Sequence, residues 1–420
     1  MALFAPVNAA ATMTATVTPR GAARVRAGHP WIFRADVVRG PDRDARGDGP
    51  SVVTIVDGRG RELGRGTWAS EARIALRVLM RAGEPSGDVT DAASLLRLID
   101  DRLTLALRRR ESLRLDRTAY RLAHAEADGL PGLIVDRFGD AAVIQTNSVA
   151  MNAARDAIAA LVAERLKARL VIARDDGSAR DFEGLPRFAG VLRGQGDTRV
   201  VYRLGPNEFE ADLLVDSKTG GFLDQADNHA AVAALAPEGA SALDAFTHHG
   251  GFALALARRG GPTLATDESA PAVARATANA KRNGLANVTV KQANAFDLVR
   301  TLEGEGRRFD VVVLDPPALA KRGGGEGARA VDAAMTAADR AYKELFLRGA
   351  RLTEPGGLLV ACSCSGRVSR AHFDELVTDA LADAGRTAHV LARLGAGRDH
   401  PEVVGVPETG HLKCWILRVL

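Results

Sequence analysis

A buried strand that ends in a carboxylate and two prolines most constrains how this chain can fold. Residues Val311 to Leu314 are four consecutive apolar residues, which predict a strand covered on both faces, as in the middle of a parallel sheet. Asp315 follows at the carboxyl end of that strand, the edge at which open α/β sheets bind ligands. Pro316 and Pro317 stiffen the chain as it leaves. An Asp in a turn or at a helix cap would fit the same pattern. Whether Asp315 belongs to a ligand site therefore depends on which residues follow the other strands.

From Leu213 onward the sequence alternates strands and helices, which predicts a doubly wound parallel sheet of seven strands. The last two strands are predicted to be an antiparallel pair. The expected fold class is α/β, with a Rossmann-like domain over residues 211–420. Strands are predicted at Ser241–Phe246, Pro262–Thr266, Val288–Gln292, Phe309–Leu314, Gly357–Ala361, His389–Leu394 and His411–Val419, and helices near Asn228–Leu235, Gly251–Arg258, Ala270–Asn283, Asp332–Leu352 and Arg370–Ala384.

Two smaller units are predicted before this domain. Residues 1–14 are expected to form a loose tail, residues 15–88 a small all-β barrel, and residues 89–210 a central α+β domain. We expect Trp31 and Phe33 to fill the core of the barrel. The predicted elements are strands at Ala35–Arg39, Ser51–Asp57, Glu62–Trp68, Arg73–Arg81, Tyr120–His124, Leu133–Arg137 and Ala141–Asn147, helices near Leu95–Ala106 and Ala150–Lys167, and a linker at Glu84–Asp91.

The composition is that of an ordinary globular protein and excludes several classes. A chain of 420 residues, 46% apolar and 26% charged, is too long for one core and is expected to form several domains. No run of eighteen apolar residues indicates a membrane span, and the N-terminal sequence lacks the pattern of a secretory signal. We therefore expect a cytoplasmic protein without a membrane partner.

The three cysteines, Cys362, Cys364 and Cys414, are too few to build a disulfide framework. Cys362 and Cys364 are too close for the usual zinc spacing, and no matching His or Cys pair accompanies them. We therefore predict no metal site, and we expect Cys362 and Cys414 to be buried in the core.

The net positive charge is concentrated at the N-terminus. Residues 1–88 contain thirteen Arg against nine Asp plus Glu, so they carry the whole net charge of +4. Such a surplus favours a polyanion such as RNA as the partner. The candidate RNA-binding residues are Arg20, Arg24, Arg26 and Arg34. A solvated surface with a compositional bias towards Arg is the alternative interpretation.

Polar residues and glycines follow successive strands of the predicted sheet. Asp244 lies in the first strand, and Gly250 and Gly251 open the next helix, where the backbone can approach a ligand closely. Their spacing is not that of a dinucleotide-binding motif. Asp267 ends the second strand, where an acid accepts hydrogen bonds from a ribose, and Asn294 after the third can meet an adenine edge. Together they favour a small adenosine ligand over a dinucleotide.

Cys364 follows the fifth strand. If the fourth and fifth strands are neighbours, this thiol and Asp315 face one cleft. A thiolate that adds to C6 of a pyrimidine turns the ring into an enamine whose C5 can attack an electrophilic methyl group. Asp315 could hydrogen-bond N3 or the exocyclic amine and balance the developing charge. We therefore favour Cys364 as a nucleophile over a packing role.

The sequence resembles the bacterial S-adenosylmethionine-dependent methyltransferases that form 5-methylcytosine in large-subunit ribosomal RNA. The resemblance extends over nearly the whole chain from about residue 18. It implies an N-terminal PUA domain that binds RNA, a central α/β domain and a C-terminal class I methyltransferase domain. The motifs that carry it are RVRAGHPWIF, AEADGLPGLIVDRFG, KTGGFLDQADN, DAFTHHGGF, DPPALAK at Asp315–Lys321, CSCSG, DHPE and PETGHLK.

The resemblance also implies roles for individual residues. Asp315 and Cys364 would be catalytic. The residues implied to bind S-adenosylmethionine are Asp224, Gln225, Asp244, Phe246, Gly250, Gly251, Asp267, Asn294 and Asp315. The chain departs from the family pattern at Gly221 and His248, where aromatic residues are common, and at Ala226, where an Arg is common.

Two other functions fit part of the pattern. Methylation of a base nitrogen needs no thiol and often uses Asp-Pro-Pro followed by an aromatic residue, but Ala318 follows here. A non-catalytic RNA-binding assembly factor would keep the fold without the reaction. The sequence leaves open the methylated nucleotide, the choice between naked RNA and a ribosomal particle as substrate, and whether the chain forms a homodimer.

Overall fold

The structure of the chain is a computed structural model. Parts of three predicted segments lie outside the residues that it describes: the tail up to residue 12, the linker at residues 85–88, and Ala320 and Lys321 of the DPPALAK motif. No helix in the described ranges is long and apolar enough to cross a membrane. The structure describes residues 13–41, 51–84, 89–319 and 328–420, with the backbone alone for 328–335.

A six-stranded sheet forms the N-terminal domain. Its apolar side chains, among them Val17, Ile32 and Leu76, make a separate core. The sheet begins at Met13, inside the predicted tail, and the domain also contains a helix that was not predicted. The elements are β1 (Met13–Val17), α1 (Pro19–Arg26), β2 (Trp31–Phe33), β3 (Val37–Arg39), β4 (Val52–Val56), β5 (Glu62–Trp68) and β6 (Ile74–Arg81), in the sheet order β2-β6-β5-β4-β1-β3.

Helix α1 has clear local causes. The Thr18 side chain accepts a hydrogen bond from the Gly21 N–H, and Pro19 occupies the first helical position, where its fixed φ and missing N–H cost nothing. Ala22 and Val25 are buried, so one face packs on the sheet while the arginines of the helix lie on the other.

The expectation that Trp31 and Phe33 fill the barrel core is wrong. Successive side chains of a strand point to opposite faces, and in β2 it is Ile32 that is buried, whereas its two aromatic neighbours are only partly buried. The Trp31 indole N–H donates to the Glu126 carboxylate at 2.8 Å. This aromatic residue therefore ties the N-terminal domain to the central one.

The central domain is a five-stranded sheet covered by helices. The helical spacing of Leu95, Leu98, Ile99, Leu103 and Ala106 is confirmed, since all five are buried on one helix. The elements are α2 (Ala92–Ser112), β7 (Ala119–His124), β8 (Leu133–Phe138), β9 (Ala141–Thr146), α3 (Val149–Ala153), α4 (Arg155–Leu166), β10 (Leu170–Asp175) and β11 (Phe188–Gly194), in the sheet order β11-β10-β9-β8-β7.

A hairpin of β12 (Arg199–Leu204) and β13 (Asn207–Asp212) follows. The predicted boundary between residues 210 and 211 falls inside β13. Phe209 of this hairpin packs in one cluster with Phe138 and Leu254, and the hairpin therefore bridges the central and C-terminal domains.

The C-terminal domain contains the predicted seven-stranded sheet. Val311 to Leu314 are fully buried, as predicted. A helix directly after Asn294 was not predicted. The elements are α5 (Ala226–Leu235), β14 (Ala242–Asp244), α6 (Gly251–Ala257), β15 (Thr263–Asp267), α7 (Ala270–Arg282), β16 (Val288–Gln292), α8 (Ala295–Gly304), β17 (Phe309–Leu314), α9 (Ala328–Leu352), β18 (Thr353–Ser363), α10 (Arg370–Asp383), β19 (Ala388–Leu394) and β20 (Lys413–Val419).

The order of this sheet is β16-β15-β14-β17-β18-β20-β19. Strands β14 to β18 are parallel, whereas β20 runs antiparallel to both β18 and β19. The prediction of an antiparallel final pair is confirmed, and β17 and β18 are neighbours. The carboxyl ends of five parallel strands therefore meet at one edge of the sheet, where the candidate site residues lie.

Candidate active site

A cavity of about 850 Å³ opens at this edge of the sheet, within the size range of ligand pockets in proteins. Segments that follow β14, β15, β16, β17 and β18 contribute to its walls. Asp244 and Gly250 were predicted to line the site but lie behind its wall. The predicted residues that do line it are Asp224, Gln225, Phe246, Gly251, Asp267, Asn294, Asp315 and Cys364.

Asp315 is held by a chain of oriented amides. The Gln225 Nε2 donates to the Asp315 Oδ2 at 2.9 Å. The Gln225 Oε1 in turn accepts from the Asn228 Nδ2 at 2.6 Å, and the same Asn228 nitrogen donates to the Gly395 carbonyl at 3.0 Å. These bonds fix which end of the Gln225 amide faces the carboxylate. Burial, followed by the charge of Asp224, raises the pKa of Asp315 to about 7, so the group can both release and accept a proton near neutral pH.

Cys364 lies just beyond the end of β18. Leu314 and Ala361 are paired in the parallel β17–β18 ladder, so Asp315 and Cys364 follow neighbouring strand ends and line the same cavity. The thiol is partly exposed. Burial, and then the charge of Asp315, raises the pKa of Cys364 to about 11, so the group is a thiol rather than a thiolate at neutral pH.

The other two cysteines are structural. Cys362 and Cys414 have no exposed surface and face each other across β18 and β20. Their predicted core positions are confirmed. Among the three cysteines, all in the described part of the chain, Cys364 alone lines the cavity.

Asp224 joins two partners that the sequence did not single out. Its Oδ2 accepts from the Lys218 Nζ at 2.9 Å and lies 3.2 Å from the His411 Nε2. Burial alone would raise the pKa of Asp224, but Lys218 and the neighbouring histidines hold it well below the usual value. Asp224 is therefore a carboxylate, and its Oδ1 is buried without a protein partner.

Asp244 presents a second unpartnered oxygen. Its Oδ2 accepts from the Thr247 hydroxyl at 2.8 Å and from the Ala253 N–H at 3.0 Å, whereas its Oδ1 is buried with no protein partner. Burial raises the pKa of Asp244 to about 7. Gly250 supports this turn with a φ of 94°, and a Cβ there would lie 2.3 Å from a Leu254 methyl carbon. Its role is therefore to shape the turn.

Asp267 and Asn294 are fixed by the backbone and retain capacity for a ligand. The carboxylate of Asp267 accepts from the His248 and Ser269 N–H groups, each at 2.9 Å. Four lone pairs serve a carboxylate, so hydroxyl groups of a ribose can still bind. The Asn294 Oδ1 caps α8 by accepting from the Phe296 N–H at 3.0 Å, which leaves its amide N–H groups available for an acceptor.

An aromatic wall completes the cavity, and sequence reasoning missed most of it. Phe222 contacts His248 edge to face at 4.6 Å, and the Lys218 ammonium lies 4.1 Å from the Phe222 ring centre. His248 and His249 stack at 3.7 Å. Burial lowers the pKa of both histidines to about 3, so both rings are neutral near pH 7.

The other two positions at which the chain departs from the family pattern are Gly221 and Ala226. A Cβ at Gly221 would lie 2.7 Å from the Tyr202 hydroxyl oxygen, so Tyr202 of β12 occupies the space that a side chain at 221 would need. Ala226 is buried at the start of α5.

The four candidate RNA-binding arginines lie together on α1 and directly after β2, and each has a partner within the protein. Arg20 pairs with Asp36, and Arg26 with Asp57 at 3.0 Å. Their side chains are 68% and 51% exposed, so both can exchange partners. Two arginines make aromatic contacts, Arg24 with Phe33 and Arg34 with Trp68.

The cavity fits S-adenosylmethionine. The unpartnered carboxylate oxygen of Asp224, which lines the cavity, suits the ammonium group of its methionine part. Asp267 offers acceptors to a ribose, and Asn294 offers donors to an adenine beside the Phe296 ring. Among the described residues, no cluster of His, Cys, Asp and Glu has the arrangement of a metal site.

Two known domain families match the chain. Residues 15–81 match the PUA-like domain family, and residues 237–397 match a methyltransferase domain family. The predictions of a PUA-like N-terminal domain and of a C-terminal methyltransferase domain are thereby confirmed.

Solved structures confirm the fold over the whole chain. A Streptococcus mutans protein described as a SAM-dependent methyltransferase has a TM-score of 0.77 at 16% identity, with 97% of this chain and 100% of that chain covered. A second structure, described as a methyltransferase in complex with SAH, has a TM-score of 0.78 at 16% identity and the same coverage.

Sequence relatives identify the family. The protein named ribosomal RNA large subunit methyltransferase I of Shewanella amazonensis is 34% identical over 397 residues, which are 93% of this chain and 95% of the relative. The protein of the same name from Aeromonas hydrophila has the same identity and coverage. The chain therefore belongs to the ribosomal RNA large subunit methyltransferase I family.

Proposed function

We propose that this methyltransferase forms 5-methylcytosine in large-subunit ribosomal RNA through a covalent bond between Cys364 and C6 of the target base. Its relatives are named for the large-subunit RNA. The observation that carries the finer proposal is the thiol of Cys364 beside the carboxyl group of Asp315 in the cavity that suits the cofactor.

The thiol favours carbon over nitrogen as the acceptor. A ring nitrogen carries a lone pair and can accept a methyl group directly, whereas C5 of a pyrimidine becomes nucleophilic only after a nucleophile has added to C6. The thiol of Cys364 is partly exposed in the cavity and supplies that nucleophile. Ala318 stands where nitrogen methyltransferases often place an aromatic ring, which also favours the carbon reaction.

Asp315 favours cytosine over uracil. The N3 of cytosine is a hydrogen-bond acceptor, whereas the N3 of uracil carries a proton. With a pKa near 7, a protonated Asp315 can donate to the cytosine N3. Gln225 donates to the Oδ2 of this group, which leaves the Oδ1 to face a base.

The reaction needs one proton shared between the two groups. The thiol proton passes to Asp315, which donates it to N3 as the sulfur adds to C6. S-adenosylmethionine, when bound, supplies an electrophilic methyl group to the activated C5. The C5 proton then leaves to solvent, N3 returns its proton to Asp315, and the C6–S bond breaks to regenerate the thiolate.

The RNA would be held by the PUA-like domain. Arg20 and Arg26 are exposed and paired with single carboxylates, and both can exchange these for phosphates of RNA. Only an unstacked nucleotide can enter the cavity, which suits single-stranded loops of a large RNA. The cytoplasmic location and the possibility of a homodimer remain predictions.

Replacement of Cys364 by Ala tests this proposal. The measurement is transfer of labelled methyl groups to ribosomal RNA from cells that lack the protein, with mass-spectrometric mapping of the product base. We expect Cys364→Ala to lose transfer by about a hundredfold or more, as for loss of a covalent nucleophile. Cys414→Ala, a buried cysteine outside the cavity, is the matched control and should retain transfer.

The product and the variant together separate the alternatives. Full transfer by Cys364→Ala, or a methyl group mapped to a ring nitrogen, would overturn the covalent scheme and favour nitrogen methylation. RNA containing 5-fluorocytosine should trap the wild-type protein as an adduct that survives denaturation, because C5 then holds no proton to release. The Cys364→Ala variant should form no such adduct.

A further inference from the structure

Lys413 is a buried lysine whose ammonium group lies in the turn that carries Cys364. It begins β20 and is 2% exposed. Its Nζ donates to the backbone carbonyls of Ser365 at 2.6 Å, Val368 at 2.8 Å and His411 at 2.9 Å. These three bonds use all the N–H donors that an ammonium has.

The acceptors place Lys413 directly beside the candidate nucleophile. Ser363 and Lys413 are paired in the β18–β20 ladder, and Cys364 is the next residue after Ser363. Ser365 and Val368 belong to the turn that follows. The ammonium therefore ties this turn to β20 at two points and limits how far the sulfur can move.

The charge of Lys413 is not cancelled by these bonds, because the three acceptors are neutral carbonyls. Burial of an unpaired ammonium is costly, and burial lowers the pKa of Lys413 to about 8, although a negative charge on Cys364 favours the protonated form. By the same interaction, a charged Lys413 favours the thiolate of Cys364. Arg370 and Glu402 also face Lys413: the charge of Arg370 lowers the pKa of Lys413, and the charge of Glu402 raises it.

The other groups around the sulfur mostly oppose the thiolate. Asp315 and Asp224 disfavour it through their charge, and Lys218 favours it. The Tyr342 phenol, which bonds to Ser363, faces the sulfur as a neutral group. Lys413 thus favours the thiolate form of Cys364 from the side of the sheet, whereas the two carboxylates disfavour it.

We propose that Lys413 is a positioning residue of the methyl-transfer site, which holds the Cys364 turn and stabilises the thiolate form of Cys364. This inference rests on the proposed function, since it takes Cys364 as the nucleophile. A buried apolar side chain at this position would supply neither the three bonds nor the charge.

The test compares Lys413→Met, Lys413→Gln and Lys413→Arg with the wild type. The rate of Cys364 alkylation by iodoacetamide is followed from pH 6.5 to 10 by mass spectrometry of the Cys364 peptide, with methyl transfer measured in parallel. In Lys413→Met we expect the pKa of the Cys364 thiol to rise. For each pH unit of that rise, alkylation of Cys364 near pH 7.5 should be about threefold slower than in the wild type. The difference should fade above pH 9, where the wild-type Lys413 has itself lost its proton. Lys413→Arg should restore the low-pH rate.

The outcomes separate this inference from the proposed function. A folded Lys413→Met variant with an unchanged alkylation profile would overturn the role of Lys413, as would a slowing that is equal at every pH. If Lys413→Met does not fold, Lys413→Gln decides, because it keeps two donors without the charge. Unfolding of both would reduce Lys413 to a structural residue and overturn the inference. Full methyl transfer by Cys364→Ala would instead overturn the proposed function, whatever the alkylation profiles show.

Discussion

Replacement of Asp315 by Asn should make the Cys364 thiol more reactive while it abolishes methyl transfer. The substitution removes the negative charge and preserves the size of the side chain. Gln225 can still donate to the oxygen of the new amide. The two properties of the site, the reactivity of the sulfur and the supply of a proton to N3, are thereby tested separately.

The magnitude follows from the thiol pKa. At pH 8 a thiol with a pKa of about 11 is ionised in roughly one molecule in a thousand. Asp315, with a pKa of about 7, is mostly charged at this pH and disfavours the thiolate. For each pH unit by which its loss lowers the thiol pKa, the thiolate fraction rises about tenfold and its nucleophilicity falls about threefold. Alkylation should therefore be about threefold faster.

Catalysis should change in the opposite direction. Loss of a general acid costs about 10²- to 10⁴-fold in rate. In the wild type, the active form holds one proton between Cys364 and Asp315, and below pH 7 the pair holds two. We therefore expect kcat/KM of the wild type to rise with pH through about 7 and then to level off, whereas Asp315→Asn should remain inactive throughout.

The assay follows iodoacetamide labelling of the Cys364 peptide from pH 6 to 10, with transfer of labelled methyl groups measured on the same preparations. Buried Cys362 and Cys414 report on unfolding, because they should label only if the fold opens. Asp267→Asn is the matched control: it removes another carboxylate of the cavity and should raise the KM for S-adenosylmethionine without faster labelling of Cys364. Equal or slower labelling of Asp315→Asn would refute the reasoning, and so would retained transfer.

Two further predictions concern support of the site and RNA binding. Asn228→Ala removes the hydrogen bond that orients the Gln225 amide. We expect kcat to fall roughly tenfold because Asp315 is then less well oriented, with little change in the KM for the cofactor. An unchanged kcat in steady-state assays would show that Gln225 is oriented without Asn228. Arg26→Gln should weaken binding to a large-subunit RNA fragment and reduce the slope of log affinity against log salt by about one; an unchanged slope in filter-binding measurements would remove Arg26 from the RNA surface.

Local sequence patterns were sufficient to predict the C-terminal sheet and the edge at which its ligands bind. The buried strand at Val311 to Leu314 and the regular alternation after Leu213 fixed a parallel sheet. Residues at the carboxyl ends of such strands, among them Asp267 and Asp315, must meet at one edge, because parallel strands point the same way. Their roles towards the cofactor and the base remain predictions.

Sequence patterns within a single element did not predict the burial of side chains or the bounds of elements where packing against other segments decides them. The aromatic residues of the segment WIF were expected in the core, but the alternation of the strand buries Ile32 instead. The boundary predicted at residues 210 and 211 falls inside β13, which pairs with β12, and the division into domains remains a prediction. Helix α1 was missed because its cap and its first proline are signals of only a few residues.

The sequence by itself determined which segments form the strands of the C-terminal sheet, the edge at which its ligands bind and the residue types at that edge. Only the tertiary structure decided which of these groups have partners: His411 reaches Asp224 across 187 positions of the chain, and the Lys413 ammonium reaches the turn after Cys364 from a different strand. Periodicity is a local property that each segment carries alone. The protonation state of a side chain depends on burial and on charges from distant segments, which exist only after the domains have packed together.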